Sequence, residues 1–140
     1  MSVNSISDVE FGMQLDPFDP NTSINSTGSF ASAVGWGDGR NGFTDHEHAK
    51  KEGLPGALIP GLLTMGFLTA LIHRWAPAAE VQMIDTVFRA PLLADSKVEL
   101  GGVITDIDED SGIVEIDLSV KNEAGDTSVF GTANILLPLG

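Results

Sequence analysis

Cysteine is absent from this chain of 140 residues, and so is tyrosine. Without cysteine there is no disulfide framework, no zinc–thiolate site and no thiol nucleophile. Aromatic residues make up only 6% of the chain, so the core has to be aliphatic, built from Leu, Ile, Val, Ala and Met. Positive charge is scarce as well: seven Lys and Arg stand against twenty Asp and Glu, a formal net charge of −13. Such a surface repels phosphate backbones and anionic membranes, so neither nucleic acid nor a membrane is expected as a partner. A local basic pocket or a helix N-terminus can still take a phosphate-bearing ligand. Long apolar runs are missing too. The longest, residues 58–72, is too short and too interrupted to span a bilayer, and the polar residues 1–10 lack the apolar core of a signal peptide. The expectation is a soluble cytoplasmic protein whose acidity serves solubility or a saline habitat.

What is present suffices for a folded domain. Apolar residues make up 42% of the chain, and its length fits one domain by the usual prior of roughly 100–200 residues. Residues 1–29 read as a polar arm, with turn-forming Asp16-Pro17 and Asp19-Pro20 and one short strand near residues 9–15. Residues 30–140 read as a single domain. Residues 30–36 fit either a short helix or an extended entry into the core. Gly35, Gly37, Gly39 and Gly42 then make a loop in which the backbone can approach a neighbour closely. Residues 44–52 read as a short helix, with Thr44 as N-cap, Glu47 completing a capping box and Gly53 as the stop.

Pro60 opens a second helix that runs to about Trp75. It is apolar on almost every face, from Leu62 to Ile72, and its polar residues His73 and Arg74 gather at the end. A helix of this kind should be wrapped by other structure. Pro77 ends it. The remainder reads as four strands, residues 81–90, 96–107, 113–121 and 127–137. Strand-period alternation is clearest from Ile113 to Lys121, and Asp110-Ser111-Gly112 and Ala124-Gly125-Asp126 are hairpin turns. One apolar helix followed by four antiparallel strands predicts an α+β domain, a sheet curled round a central helix.

That layout is the hot-dog arrangement, and three segments resemble the MaoC-like (R)-specific enoyl-CoA hydratase and dehydratase group. Phe43-Thr44-Asp45-His46-Glu47-His48-Ala49-Lys50, followed by Gly53, is similar to the group's H-T-D-P-E-Y-A-K run. Leu58-Ile59-Pro60-Gly61-Leu62-Leu63-Thr64-Met65 is similar to its I-A-H-G-M-L-T-M, which opens the central helix. Phe88-Arg89-Ala90-Pro91, followed by Asp95, is similar to its F-R-x-P-x-x-x-G-D. The likeness runs from roughly Phe30 to Pro138.

The resemblance implies a reaction in which water adds to a 2-enoyl thioester. One group takes the water's proton, an acid protonates the α-carbon, and donors stabilise the enolate oxygen. The group's signature for this is D-x-N-P-I-H. Aligned on the segment that follows, Asp38 falls on its Asp, Arg40-Asn41-Gly42 cover N-P-I, and Phe43 falls on its His. Pro60 replaces a second histidine, the one before the helix-opening glycine. The chain therefore departs from the pattern at residues that carry the reaction, and phenylalanine cannot move a proton.

Gly61 is the candidate for holding the thioester carbonyl, because the resemblance puts its N–H at the start of the buried helix, where donors are unpaired. The bland alternative is a glycine required by helix–sheet packing. Asp38 is the candidate catalytic group, against the plainer reading of a turn aspartate. Arg40 is a candidate partner for Asp38 or for a substrate carboxylate, against a solvated cation. Phe43 is placed by the resemblance in the substrate pocket, and Arg89 near a dimer groove where it meets CoA phosphates. His46 and His48 are possible substitutes for the lost histidine, but packing is the commoner role. Their i, i+2 spacing puts them on different sides of a helix, so no shared metal is expected. His73 suits the negative end of its helix. Trp36 and Trp75 read as core or interface residues.

The leading reading is thus a MaoC-like enoyl-thioester hydratase or dehydratase acting on acyl-CoA or acyl-carrier substrates, without a cofactor. By resemblance it pairs as a homodimer, or as a heterodimer in which a second hot-dog subunit lends the Asp–His pair. The alternatives are a non-catalytic acyl-thioester-binding module and a hot-dog thioesterase using Asp38 or Glu52 to activate water.

Overall fold

A computed structural model of the protein describes residues 2–36 and 41–140. A short 3-10 turn at Ile6–Asp8 precedes three helices, α1 (Ile24–Ala33), α2 (His46–Lys51) and α3 (Gly61–Trp75). Four strands follow: β1 (Glu80–Phe88), β2 (Glu99–Asp108), β3 (Ile113–Lys121) and β4 (Thr127–Leu136). They form one antiparallel sheet in the order β1-β4-β3-β2, so β1 returns beside β4 and its other edge is free of partners among the described residues. This is the α+β hot-dog arrangement that the element order predicts.

Alternation decides which side of the sheet faces the core. In β3, Val114, Ile116, Leu118 and Val120 are buried while Ile113 and Asp117 are exposed. α3 lies on that inner face through Thr64, Leu68, Leu71, Ile72 and Trp75, a stripe at helical spacing. Leu68, Leu71 and Ile72 are wholly enclosed, and burial of such side chains contributes about 1.5–3 kcal/mol each. Val3, Ile6, Val9 and Leu15 from the N-terminal residues join the same core. Gln14 makes an antiparallel bridge to Val103, which lays this segment along β2; this isolated bridge stands where a short strand near residues 9–15 is expected.

Several expectations move. The first helix is not at residues 30–36 but starts at Ile24. Its N-terminus is capped by Ser23, whose hydroxyl accepts from the Ser26 N–H, and by Asp95, which accepts from the Ile24 N–H. Gly35, at φ 85°, turns the chain out of it, and the Trp36 N–H closes back on the Ala31 carbonyl. The N-cap of α2 is Asp45 rather than Thr44: its carboxylate accepts from the N–H groups of Glu47 and His48. Thr44 instead accepts from the Asn41 N–H and braces the preceding turn. β1 stops at Phe88, because the N–H groups of Arg89 and Ala90 both converge on the Ser128 carbonyl and Pro91 follows.

The wrapping of α3 is also incomplete. Leu62 is 56% exposed at its first turn, beside a half-buried Gly61.

Candidate functional site

A cavity of about 340 Å³ lies where α3 begins, between the turn before α2 and the end of β1. Its position follows from local chemistry. Pro60 is the N-cap of α3 and has no side-chain donor or acceptor, so no side chain caps this helix. The first intrahelical bond runs from the Thr64 N–H to the Pro60 carbonyl. The N–H groups of the opening turn, Gly61 foremost, therefore have no helical acceptor and point outward at the positive end of the helix dipole.

Three of the sequence candidates meet here: Phe43, Gly61 and Arg89 all line the cavity. Leu58, Ile59 and Phe88, which the sequence did not single out, complete much of its wall. Asp38 and Arg40 lie outside the described residues. Gly61 is packed against Phe88: a Cβ at position 61 would stand 3.3 Å from two ring carbons. The packing account of this glycine is therefore physically real, and among the described residues nothing accepts from the Gly61 N–H.

The Phe43 ring is held from behind by a small aromatic cluster. Trp36 lies against it with ring centroids 5.1 Å apart, and Phe30 meets Trp36 edge-on at 6.2 Å. Trp36 is thus an exposed-side brace for a cavity wall, at 39% exposure, whereas Trp75, at 2%, is a core residue. The backbone of Phe43 is fixed as well: its N–H donates to the Asn41 side-chain oxygen and its carbonyl accepts from the buried Thr27 hydroxyl.

The histidines are occupied elsewhere. The His46 ring bridges the Ala57 N–H, 3.0 Å from Nδ1, and the Asp95 carboxylate, 2.8 Å from Nε2. Because Nδ1 accepts from a backbone N–H, the ring proton sits on Nε2 and is donated to Asp95. The hydrogen bond from His46, then that from the Ile24 N–H, hold the Asp95 carboxyl below the usual aspartate value. His48 pairs with Glu52 one helical turn on, at 2.7 Å, and neither lines the cavity. Glu52 is therefore not placed to activate water there. His73 meets the Ala79 carbonyl at 3.1 Å, just past the end of α3. Among the described residues no three His, Asp or Glu side chains converge as metal ligands.

Arg89 sits at the mouth of the cavity, at the exposed end of β1, with no carboxylate among the described residues within salt-bridge distance. Arg74, by contrast, is spent on the face of Phe18, 4.4 Å from the ring centroid. A wider trough of about 680 Å³ crosses the outer face of the sheet. It is edged by Asp85, Glu99 and Asp117 and contains no helix terminus.

No known family profile matches the chain, and no curated protein matches it in sequence. Its fold is shared, however, with solved MaoC-like hydratases and dehydratases. An (R)-hydratase from A. caviae involved in PHA biosynthesis superposes with a TM-score of 0.84 at 17% identity, over 93% of this chain and 98% of that one. A MaoC-like dehydratase from Rhodospirillum rubrum gives 0.77 at 14% identity, over 94% and 95% of the two chains. In the ChsH1–ChsH2 complex from Mycobacterium tuberculosis the corresponding values are 0.80, 19%, 92% and 98%. At these identities the likeness establishes the fold alone, and the chain has the hot-dog fold that it shares with these structures. No helix among the described residues is long and apolar enough to cross a membrane.

Proposed function

We propose that this chain is the acyl-thioester-binding subunit of a MaoC-type enoyl-thioester hydratase or dehydratase in the cytoplasm, and that a second hot-dog subunit supplies the acid–base pair. One observation carries the reading. The cavity at the uncapped start of α3 has Phe43 in its wall and no carboxylate or imidazole among its described lining residues. Such a cavity can hold an acyl group and polarise its thioester carbonyl. It has no described side chain with which to move a proton.

In this reading the thioester oxygen accepts from the Gly61 N–H, and the helix field stabilises charge that builds on that oxygen. The acyl chain lies against Phe43, Leu58 and Ile59. Arg89 pairs with a phosphate of CoA or of a carrier's pantetheine arm. The partner's base takes a proton from water, the oxygen adds to the β-carbon, and an acid returns a proton to the α-carbon, so one water is consumed per double bond. The free edge of β1, which bears Phe88 beside Arg89 at the cavity mouth, is where a second sheet would join. The fold has a precedent for two named subunits in the ChsH1–ChsH2 complex.

Thermal unfolding with crotonyl-CoA and a longer 2-enoyl-CoA tests the binding half of the proposal. Ligand at a hundred times its Kd should stabilise the protein by about 2.7 kcal/mol, and Arg89→Ala should weaken binding of the CoA form more than that of a thioester lacking phosphate. No stabilisation by either thioester would remove the reading, and release of free thiol would favour a thioesterase.

A further inference from the structure

Four chain segments meet at His46 and Asp95. His46 opens α2, and Asp95 follows the loop that runs from Pro91. Asp95 accepts from the first N–H of α1 through Oδ1 while its own N–H donates to the Thr22 carbonyl. Through Nδ1 the His46 ring holds the N–H of Ala57, a residue with no exposure at all. The Ala57 carbonyl in turn accepts from the Ala94 N–H, one residue before Asp95.

What this knot secures is the approach to α3. From Ala57 the chain passes Leu58 and Ile59, both in the cavity wall, and reaches Gly61 four residues on. Leu58 N–H donates to the Gly42 carbonyl and Ile59 N–H to the Leu92 carbonyl, so this stretch is tied to the loops on either side. Gly56 lies so close beneath the imidazole that a Cβ there would stand 3.1 Å from Nδ1. Asp95 has φ 62°, the one positive value recorded for a non-glycine among the described residues. Aspartate tolerates that region better than most side chains, but it is a conformation the surroundings have to hold. Hydrogen bonds from Ile24 and His46 to one carboxylate supply the hold.

We infer that His46, clamped as its Nε2–H tautomer between the Ala57 N–H and Asp95, is a positioning residue for the cavity and for the donor end of α3. The inference rests on the acyl-thioester reading of that cavity. Without the imidazole the Ala57 N–H becomes a buried donor with no acceptor, and the 57–61 stretch relaxes. A glutamine at position 46 offers an oxygen to Ala57 and an N–H to Asp95, so it restores both contacts.

The test compares wild type, His46→Ala and His46→Gln by amide hydrogen exchange at Ala57 and Leu58 and by titration with crotonyl-CoA. In the alanine variant both amides exchange faster and affinity falls about tenfold, the equivalent of one unsatisfied buried donor. The glutamine variant recovers most of both. The ring nitrogens of wild type report a fixed tautomer, protonated at Nε2, in a nitrogen-15 spectrum. Unchanged exchange in His46→Ala overturns the inference. So does faster exchange with unchanged affinity, which would make the clamp structural only. If wild type binds no crotonyl-CoA, the cavity reading fails, and the positioning of residues 57–61 stands or falls on the amides alone. Should His46→Ala not fold, Asp95→Asn loosens the same knot and must move the same amides in the same direction.

Discussion

The phenyl ring of Phe88 covers the backbone of Gly61, with two of its carbons 3.3 Å from the point where a Cβ would sit. The first residue of the central helix and the last residue of β1 thereby form one wall of the cavity. Gly61→Ala pushes on that ring. Phe88 is 48% exposed and can swing aside, so the cost to stability is small, about 1 kcal/mol or less once the better helix propensity of alanine is counted. Affinity for an acyl thioester falls by much more, because the ring moves into the ligand's space. Denaturant unfolding set beside a binding titration separates the two effects. A stability loss above about 3 kcal/mol would show that the ring cannot yield.

Gly131→Ala makes the opposite case. A Cβ at this β4 position would stand 2.0 Å from the Asp85 carbonyl oxygen and 2.8 Å from the Thr86 Cα, both backbone atoms of β1. Backbone cannot rotate out of the way, so the β1–β4 pairing must open. The expected loss exceeds about 3 kcal/mol. It should appear in denaturant unfolding, with the β1 amides losing protection first.

Much of this architecture was legible in the sequence, and the reasons differ by element. β3 was bounded correctly at both ends because one half-buried strand imposes an unbroken period of two and Gly112 marks the turn before it. α3 was legible from Pro60, the apolar run and Pro77. α1 was not, because Ile24-Asn25-Ser26-Thr27-Gly28-Ser29 has weak helical propensity and its first N–H is capped by Asp95, 71 residues away. Contacts of that range leave no local trace. The same holds for the site. Phe43, Gly61 and Arg89 follow from motif positions, and the fold gathers them round one cavity. Phe88 and the His46–Asp95 pair are not legible, because nothing local to residue 46 announces a partner 49 positions on.

Acid should break the Asp95 contact late, below the pH at which an ordinary aspartate takes up its proton. Its carboxyl is held below the ordinary value by the hydrogen bond from His46 and then by that from Ile24. A carboxyl with a lower pKa folded than unfolded binds fewer protons in the native state. Its contribution is therefore present above the unfolded value of about 3.9 and is lost as pH falls through the folded value. Asp95→Asn should be less stable than wild type at neutral pH, and the gap should close as pH drops below about 4. A gap that stays constant across that range would mean the carboxylate's charge contributes nothing.

Trp36 provides an optical report on the cavity. Its ring lies 5.1 Å from Phe43 in the cavity wall, whereas Trp75, the other tryptophan of the chain, is 2% exposed in the core. Binding of an acyl thioester should change the emission of wild type, and Trp36→Phe should abolish that change while keeping affinity within about threefold, since a phenyl ring still braces Phe43. A full signal in Trp36→Phe would place the ligand elsewhere.

The measurement that bears most directly on the account is hydration of crotonyl-CoA by the purified chain, followed as loss of the conjugated double bond, with binding measured on the same sample and Asp38→Ala run alongside. The account predicts binding without turnover, and turnover once a hot-dog subunit carrying an Asp–His pair is added. Turnover by the pure chain that disappears in Asp38→Ala would contradict it and make this chain a complete hydratase in which Asp38 works without the missing histidine.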